Sequence, residues 1–432
     1  MENTRRKFIR QAGAITGAAA TLSLLDMISV EHVQAATRKI SHLSPSQAAM
    51  DEDYWFTIQQ AYSVSSDIVN LNNGGVSPQP VVTQNALDRY VRICNEGPAY
   101  YMWNILGQGR ENVRNKLAEL AGVSAEEIAM NRNTSEALET IIFGLDLKGG
   151  DEILTTNQDY PNMMNAWNQR VKRDGIKLTT ISIPVPCKDS SDIVEAYKKA
   201  ITPKTKIIHV SHVIFMTGQI MPVREIADMA HQHGIDVICD GAHSFAHLDY
   251  KISDLHCDYF GTSLHKWLCA PFGSGLLWVK KEKIEALYPL FGHPKDFSTT
   301  DIRKFEHLGT RSFPIELAVG NSIDFHNGIG SKRKEERLRY LTHYWAERIS
   351  KFPKVKFNTS LKSDMSCALC NFYIEGKEHT KIQDELFSKY KIYTTPITHD
   401  EFKGVRVTPH VYTKIADLDY FVKAVEKIAN AS

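Results

Sequence analysis

Two segments of this 432-residue chain carry groups whose types and spacing amount to chemistry. In Val237-Ile238-Cys239-Asp240-Gly241-Ala242-His243 a carboxylate ends an apolar run beside a glycine turn. Twenty-six residues after Asp240, Gly261-Thr262-Ser263-Leu264-His265-Lys266 closes a second run with an amine. A lysine amine condenses with an aldehyde, and a carboxylate set against a pyridine nitrogen keeps that nitrogen protonated. A pyridoxal 5'-phosphate cofactor needs this pair, one end anchored and the other made an electron sink. Lys266 is the expected carrier and, once a substrate amine displaces it, the general base at Cα.

Both groups must be delivered to one edge of a sheet. Ile153-Leu154-Thr155 reads as a short buried strand, Leu178 to Val185 alternates apolar and polar residues, and Lys206 to Val213 is a further apolar run. Val223 to His233 sets Val223, Ile226, Ala227 and Ala230 at helical spacing, with Gly234 as the C-cap. Ile235 to Cys239 follows as the strand that ends at Asp240. Strands alternating with helices predict a mostly parallel α/β sheet flanked by helices, with functional residues in loops at the carboxyl ends of strands. The pattern changes near residue 325. Lys332 to Arg348 reads as a charged helix, Ala368 to Ile374 and Val405 to Val407 as strands of a second layer, and Asp417 to Ala429 as an amphipathic helix. The expected organisation is a large cofactor-binding domain over 80–325 and a smaller α+β domain over 326–432. Residues 37–79 are expected to contribute to the small domain and the active site.

Three further features suit the same chemistry. Asn131-Arg132-Asn133-Thr134-Ser135 opens an apolar helix, and a helix N-terminus flanked by hydroxyls cradles phosphate. Tyr160, in Gln158-Asp159-Tyr160-Pro161, offers a flat face after a strand end. Arg406, between two valines, offers a fork that matches a carboxylate.

This ordered set, with Asn72-Asn73-Gly74-Gly75-Val76-Ser77-Pro78 and the run Gly404 to Tyr412, resembles the class V aminotransferases of the type I pyridoxal-phosphate fold. The branch it resembles contains isopenicillin N epimerase and relatives of the cysteine desulfurases. The resemblance covers most of the chain after residue 36. It implies that Thr134 and Ser135 hold the cofactor phosphate with help from Ser263 and His265. Thr310, in Gly309-Thr310-Arg311, resembles the phosphate contact this fold takes from a neighbouring subunit, which implies a homodimer with shared active sites. It further implies that Tyr160 stacks on the pyridine ring, His243 meets the ring hydroxyl and Arg406 binds the substrate α-carboxylate. Asn73 and Arg311 are additional candidates for substrate contact. One position departs from the pattern. Many relatives read Ser-His-Val-Ser-Asn-Val-Thr-Gly where this chain has Ser211-His212-Val213-Ile214-Phe215-Met216-Thr217-Gly218. Phe215 thus replaces an asparagine that touches cofactor hydroxyl and substrate in those relatives, which bears on the reaction outcome.

After Cα deprotonation the proton can return to the cofactor carbon (transamination) or to the opposite face of Cα (epimerisation), or a β-substituent can leave (lyase). A persulfide-forming desulfurase carries a mobile cysteine shortly before the position of Arg406, and Tyr393 to Val405 contains Thr394, Thr395 and His399 but no Cys. Transamination or epimerisation of a small amino-acid-like or peptide-like substrate is therefore expected first, and a C–S or other β-eliminating lyase second. A non-catalytic binding protein on this fold is expected to lose Lys266 or Asp240, and neither is lost.

The bulk numbers agree with a small-molecule enzyme. Lys plus Arg total 51 against 50 for Asp plus Glu, and no long basic run invites nucleic acid or an anionic membrane. The seven cysteines are odd in number and scattered, which is not a disulfide framework. Cys367 and Cys370 have a CxxC spacing but open an apolar strand rather than a redox turn. His243 and His247 lack the Glu of a zinc helix, so no metal is expected. At the amino terminus, Thr4-Arg5-Arg6-Lys7-Phe8-Ile9-Arg10 resembles the twin-arginine export motif. It precedes an apolar stretch, Ala12 to Leu25, too short to span a bilayer. Val33-Gln34-Ala35-Ala36 offers a cleavage site after Ala35 or Ala36. Residues 1–36 are therefore read as a signal for the twin-arginine export machinery. The enzyme is expected in the periplasm or outside the cell, without a stable membrane anchor.

Overall fold

The computed structural model describes residues 29–292 and 298–431. The twin-arginine motif and the apolar stretch after it lie outside the described residues.

A seven-stranded sheet forms the centre of the large domain. Its order is Ile128–Asn131, Gly275–Val279, Tyr259–Ser263, Asp236–Asp240, Thr205–Ser211, Glu152–Thr156 and Lys177–Ile181. Gly275–Val279 runs antiparallel to both its neighbours, and the other pairings are parallel. Six of these strands are buried along nearly their whole length, as strands covered on both faces must be. The predicted helix is present as Val223–Gln232, which buries Val223, Ile226, Ala227 and Ala230, and Gly234 follows it at φ +70°. Two strands are shorter than the apolar runs suggest. Lys177–Ile181 is a partly exposed edge strand, and Pro184 and Pro186 beyond it have no N–H for a ladder. Thr205–Ser211 stops two residues before Val213, which instead bridges to Ile220 in a turn.

The second layer is a four-stranded antiparallel sheet ordered Thr395–Thr398, Lys403–Val407, Cys370–Ile374 and Val355–Phe357. The helices Ser331–Ile349 and Ile415–Asn430 pack on it through Trp345, Phe421 and Phe372. Residues before 80 join this layer. Val69–Asn70 pairs parallel with Ile392–Tyr393, Leu71 is buried in the same cluster, and Asn72 bridges to Thr408.

Ahead of that strand, the helix Val30–Lys39 sends Val33 into a cluster with Trp55, Phe325, Ile329 and Trp267. Thr37 Oγ1 donates to Gly328 O at 2.8 Å and fixes the helix against Phe313–Ile329. The segment Val33 to Ala36 is therefore helical in the folded chain, with Val33 fully buried. Among the described residues no helix is long and apolar enough to cross a membrane.

Candidate active site

Parallel pairing sets Asp240 opposite Ser211 on one side and opposite Gly261 on the other. The strand carrying Gly261 ends at Ser263, and Lys266 stands in the turn beyond it. The two groups found in sequence thus emerge at the carboxyl ends of adjacent strands. Gly241 is required here because a Cβ would enter the Phe260 ring. Asp240 is 5% exposed, and its Oδ1 accepts from Ala242 N at 2.8 Å. Its second oxygen takes no hydrogen bond from the described residues. Burial raises the Asp240 pKa, the mark of a carboxylate in want of a cation. Burial lowers the Lys266 amine to about 8, opposed in part by the Asp240 charge. Lys266 Nζ lies 3.3 Å from His243 Nε2, and His243 Nδ1 is buried without a partner. Burial, with Lys266 beside it, holds His243 neutral, its pKa well below the ordinary range.

The helix end expected to hold the phosphate is built from two elements. Asn133 caps the helix Thr134–Gly144, its side chain accepting from Glu136 N at 2.9 Å. Thr134 N donates to Ser263 Oγ at 2.9 Å, and Thr134 Oγ1 lies 2.6 Å from that same oxygen. Hydroxyls from two elements therefore converge on a positive helix end, with Ser135 beside them. Gly275 makes the close approach possible, since a Cβ there would stand 2.6 Å from Asn133 N. His265 Nδ1 is held 3.2 Å from Ser274 O.

Asp159 positions the aromatic face. Its carboxylate accepts from the Thr155 hydroxyl, from Thr156 N at 3.0 Å and from Ser211 Oγ at 2.5 Å. This fixes the turn from which Tyr160 starts the helix Pro161–Asp174. Tyr160 meets Phe215 edge to face, with centroids 5.4 Å apart, and its own centroid is 6.0 Å from Lys266 Nζ. On the far wall, Arg406 Nη1 donates to Phe215 O at 2.9 Å and Nη2 to Asn72 Oδ1 at 2.8 Å, while Nε has no partner.

These groups line one cavity of about 390 Å³. Thr134, Ser135, Tyr160, Asp240, His243, Ser263, His265, Lys266 and Arg406 all reach it. Three candidates do not. Asn73 is fully buried and spends its amide on Thr408 O at 2.8 Å and on the Tyr412 hydroxyl at 2.6 Å. Arg311 pairs with Glu316 at 2.6 Å, outside the cavity lining. Thr310 is exposed on a bend, also outside its own chain's cavity. Asn72, Asp159 and Ser211 are functional neighbours that sequence reasoning did not single out. Asp159 stood beside Tyr160 in the quoted motif, and its signal was a carboxylate four residues after the hydroxyl of Thr155.

The residues present fit pyridoxal 5'-phosphate by the chemistry of the groups left over. They are an amine of lowered pKa, a buried carboxylate with a spare oxygen, an unpartnered imidazole nitrogen and a hydroxylated helix N-terminus. A family model for aminotransferase class V matches residues 68–396. The chain belongs to that family. This class V enzyme is 27% identical over 393 residues to an isopenicillin N epimerase of Amycolatopsis lactamdurans, covering 87% of this chain and 98% of the relative. It is 31% identical over 300 residues to a probable cysteine desulfurase of Halalkalibacterium halodurans, covering 66% and 73%. Among solved structures, a lysine-to-alanine mutant of C-DES with glycine covalently linked to its pyridoxal-phosphate cofactor superposes with a TM-score of 0.76. That pair shares 20% identity over 85% of this chain and 97% of the other. Class V membership makes pyridoxal 5'-phosphate the cofactor of this enzyme.

Proposed function

We propose that this class V enzyme moves the Cα proton of an amino-acid-like or peptide-like substrate, ending in transamination or epimerisation. The observation that carries the reading is the Lys266 amine, held at about 8 by burial and facing the same cavity as Asp240 and Arg406. When bound, the cofactor supplies the electron sink that makes the Cα proton acidic. Asp240, a buried carboxylate with a free oxygen, favours the protonated form of a ring nitrogen. Arg406, a buried cation with no carboxylate partner among the described residues, takes the substrate carboxylate. Lys266, once free, takes the proton from Cα and holds it for return. Burial keeps His243 uncharged, so it does not oppose a positive charge on Lys266.

Sulfur transfer through a persulfide has no acceptor here. Among the described residues no cysteine lines the cavity, and Thr395–Thr398 with Lys403–Val407 forms a hairpin rather than a cysteine-bearing loop. A β-eliminating lyase needs no cysteine and is the alternative outcome. The exposed position of Thr310, on the bend after Gly309 at φ +80°, supports its supply to a neighbouring subunit in a homodimer. Export through the twin-arginine machinery, in the folded state, is part of the same proposal and rests on the amino-terminal motif.

The test is Cα–H exchange of amino acids of both configurations, and of short peptides, in deuterated water with the purified holoenzyme. Exchange with inversion identifies an epimerase, amino transfer to an added 2-oxo acid a transaminase, and loss of a β-substituent a lyase. Absence of exchange throughout would overturn the reading.

A further inference from the structure

Arg406 is 5% exposed, and the acceptors that hold it are neutral: the carbonyl of Phe215 and the side-chain amide of Asn72. Asn72 is itself anchored to the segment it serves. Its backbone bridges to Thr408, two residues beyond Arg406, and its N–H donates to Asn70 Oδ1 at 3.1 Å. Gly74 lies against the same segment, where a Cβ would stand 3.2 Å from Thr408 Cγ2 and in ordinary contact, 3.5 Å, with Arg406 Cζ. Phe215 contributes only its main-chain oxygen, because its ring turns to Tyr160. Among the described residues, Asn72 is therefore the one side chain that hydrogen-bonds the fork and fixes its plane. An amide suits that task. It accepts from Nη2 without supplying a negative charge, so the cation is oriented and still unneutralised.

We infer that Asn72 is the positioning residue of the carboxylate subsite, holding the Arg406 guanidinium in one orientation and leaving its charge for an incoming α-carboxylate. This rests on the reading that Arg406 receives the substrate carboxylate.

Two small reagents test it without knowledge of the substrate. Aminooxyacetate and O-methylhydroxylamine both attack the lysine-held cofactor aldehyde, and only the first carries a carboxylate. The ratio of their rate constants with holoenzyme measures the subsite, and the second reagent alone reports cofactor reactivity. Wild type is expected to favour aminooxyacetate. Asn72→Ala should cut the ratio by about tenfold, the scale of a hydrogen bond to a charged group, with the O-methylhydroxylamine rate of the same variant as its reference. Asn72→Asp, of nearly the same shape, should cut it further by neutralising the fork, and it carries the test if the alanine variant does not hold cofactor. In an Arg406→Ala background, Asn72→Ala should have no further effect. A ratio that survives both Asn72 changes overturns the role of Asn72 alone, as does an equal loss in the Arg406→Ala background. A wild type with no preference overturns the role of Arg406, and this inference with it.

Discussion

Lys266 Nζ and His243 Nε2 stand 3.3 Å apart, which ties the amine of one strand end to the turn that begins at Asp240 on the next. The groups proposed to anchor the cofactor and to keep its ring protonated are therefore fixed by one register in one sheet. His243 is locked from behind by His247, whose Nδ1 donates to His243 O at 2.6 Å and whose Nε2 accepts from Ala368 N at 3.0 Å.

The lowered pKa of Lys266 sets a pH dependence for cofactor loading. Only the neutral amine attacks an aldehyde, and burial makes Lys266 neutral above about 8 rather than above about 10.4, the ordinary lysine value. The rate at which the cofactor-free enzyme takes up pyridoxal 5'-phosphate should rise with pH through about 8 and then level, followed by absorbance. A rate still climbing at pH 10 would show an ordinary lysine. Lys266→Ala should abolish the absorbance band and lower turnover by at least about 10²-fold.

Asp240→Asn keeps the shape and the Ala242 N–H contact but removes the charge. Cofactor should still bind, more weakly, while Cα–H exchange falls by about 10²–10³-fold, the scale of losing one preorganised electrostatic contact. Full activity in this variant would show that ring protonation does not depend on Asp240.

Gly275→Ala drives a methyl group against the backbone of Asn133, where contacts of 2.6–2.8 Å leave no room. The expected result is a stability loss of about 1–3 kcal/mol by chemical denaturation. Affinity for pyridoxal phosphate should fall more than affinity for pyridoxal if, as proposed, the displaced helix end is the phosphate cradle.

His247→Ala leaves Ala368 N–H and His243 O without partners and removes a ring stacked 3.9 Å from Trp267. Stability should fall by about 1–3 kcal/mol, and kcat should fall more than KM changes. Burial already holds His247 at about 3, so the activity profile between pH 6 and 9 should keep its shape.

Much of the site was legible because its members sit at strand and helix ends, where local sequence carries the signal. Asp240 follows the apolar run Val237 to Cys239, and Thr134 opens a helix that Asn133 caps. What could not be read was contact between distant segments. Asn72 and Asn73 are neighbours of one type, and only the bridge to Thr408 decides which faces Arg406 and which is spent inside the fold. The strand expected to reach Val185 ends at Ile181, a boundary that Pro184 and Pro186 signalled and the apolar alternation concealed. Lys334 was part of a charged helix in sequence, yet it is 3% exposed, with its amine on Trp267 O, because the helix lies beneath the lysine-bearing turn.

Val33 and Trp267 share one apolar cluster, although the first lies at the amino-terminal end of the described chain and the second is the residue after Lys266. A peptidase cutting after Ala35 or Ala36 in the folded chain would have to draw Val33 out of that cluster and leave a slot behind the turn that carries Lys266. If the proposed export signal is removed there, the trimmed chain should hold Lys266 less firmly than one that keeps the helix whole.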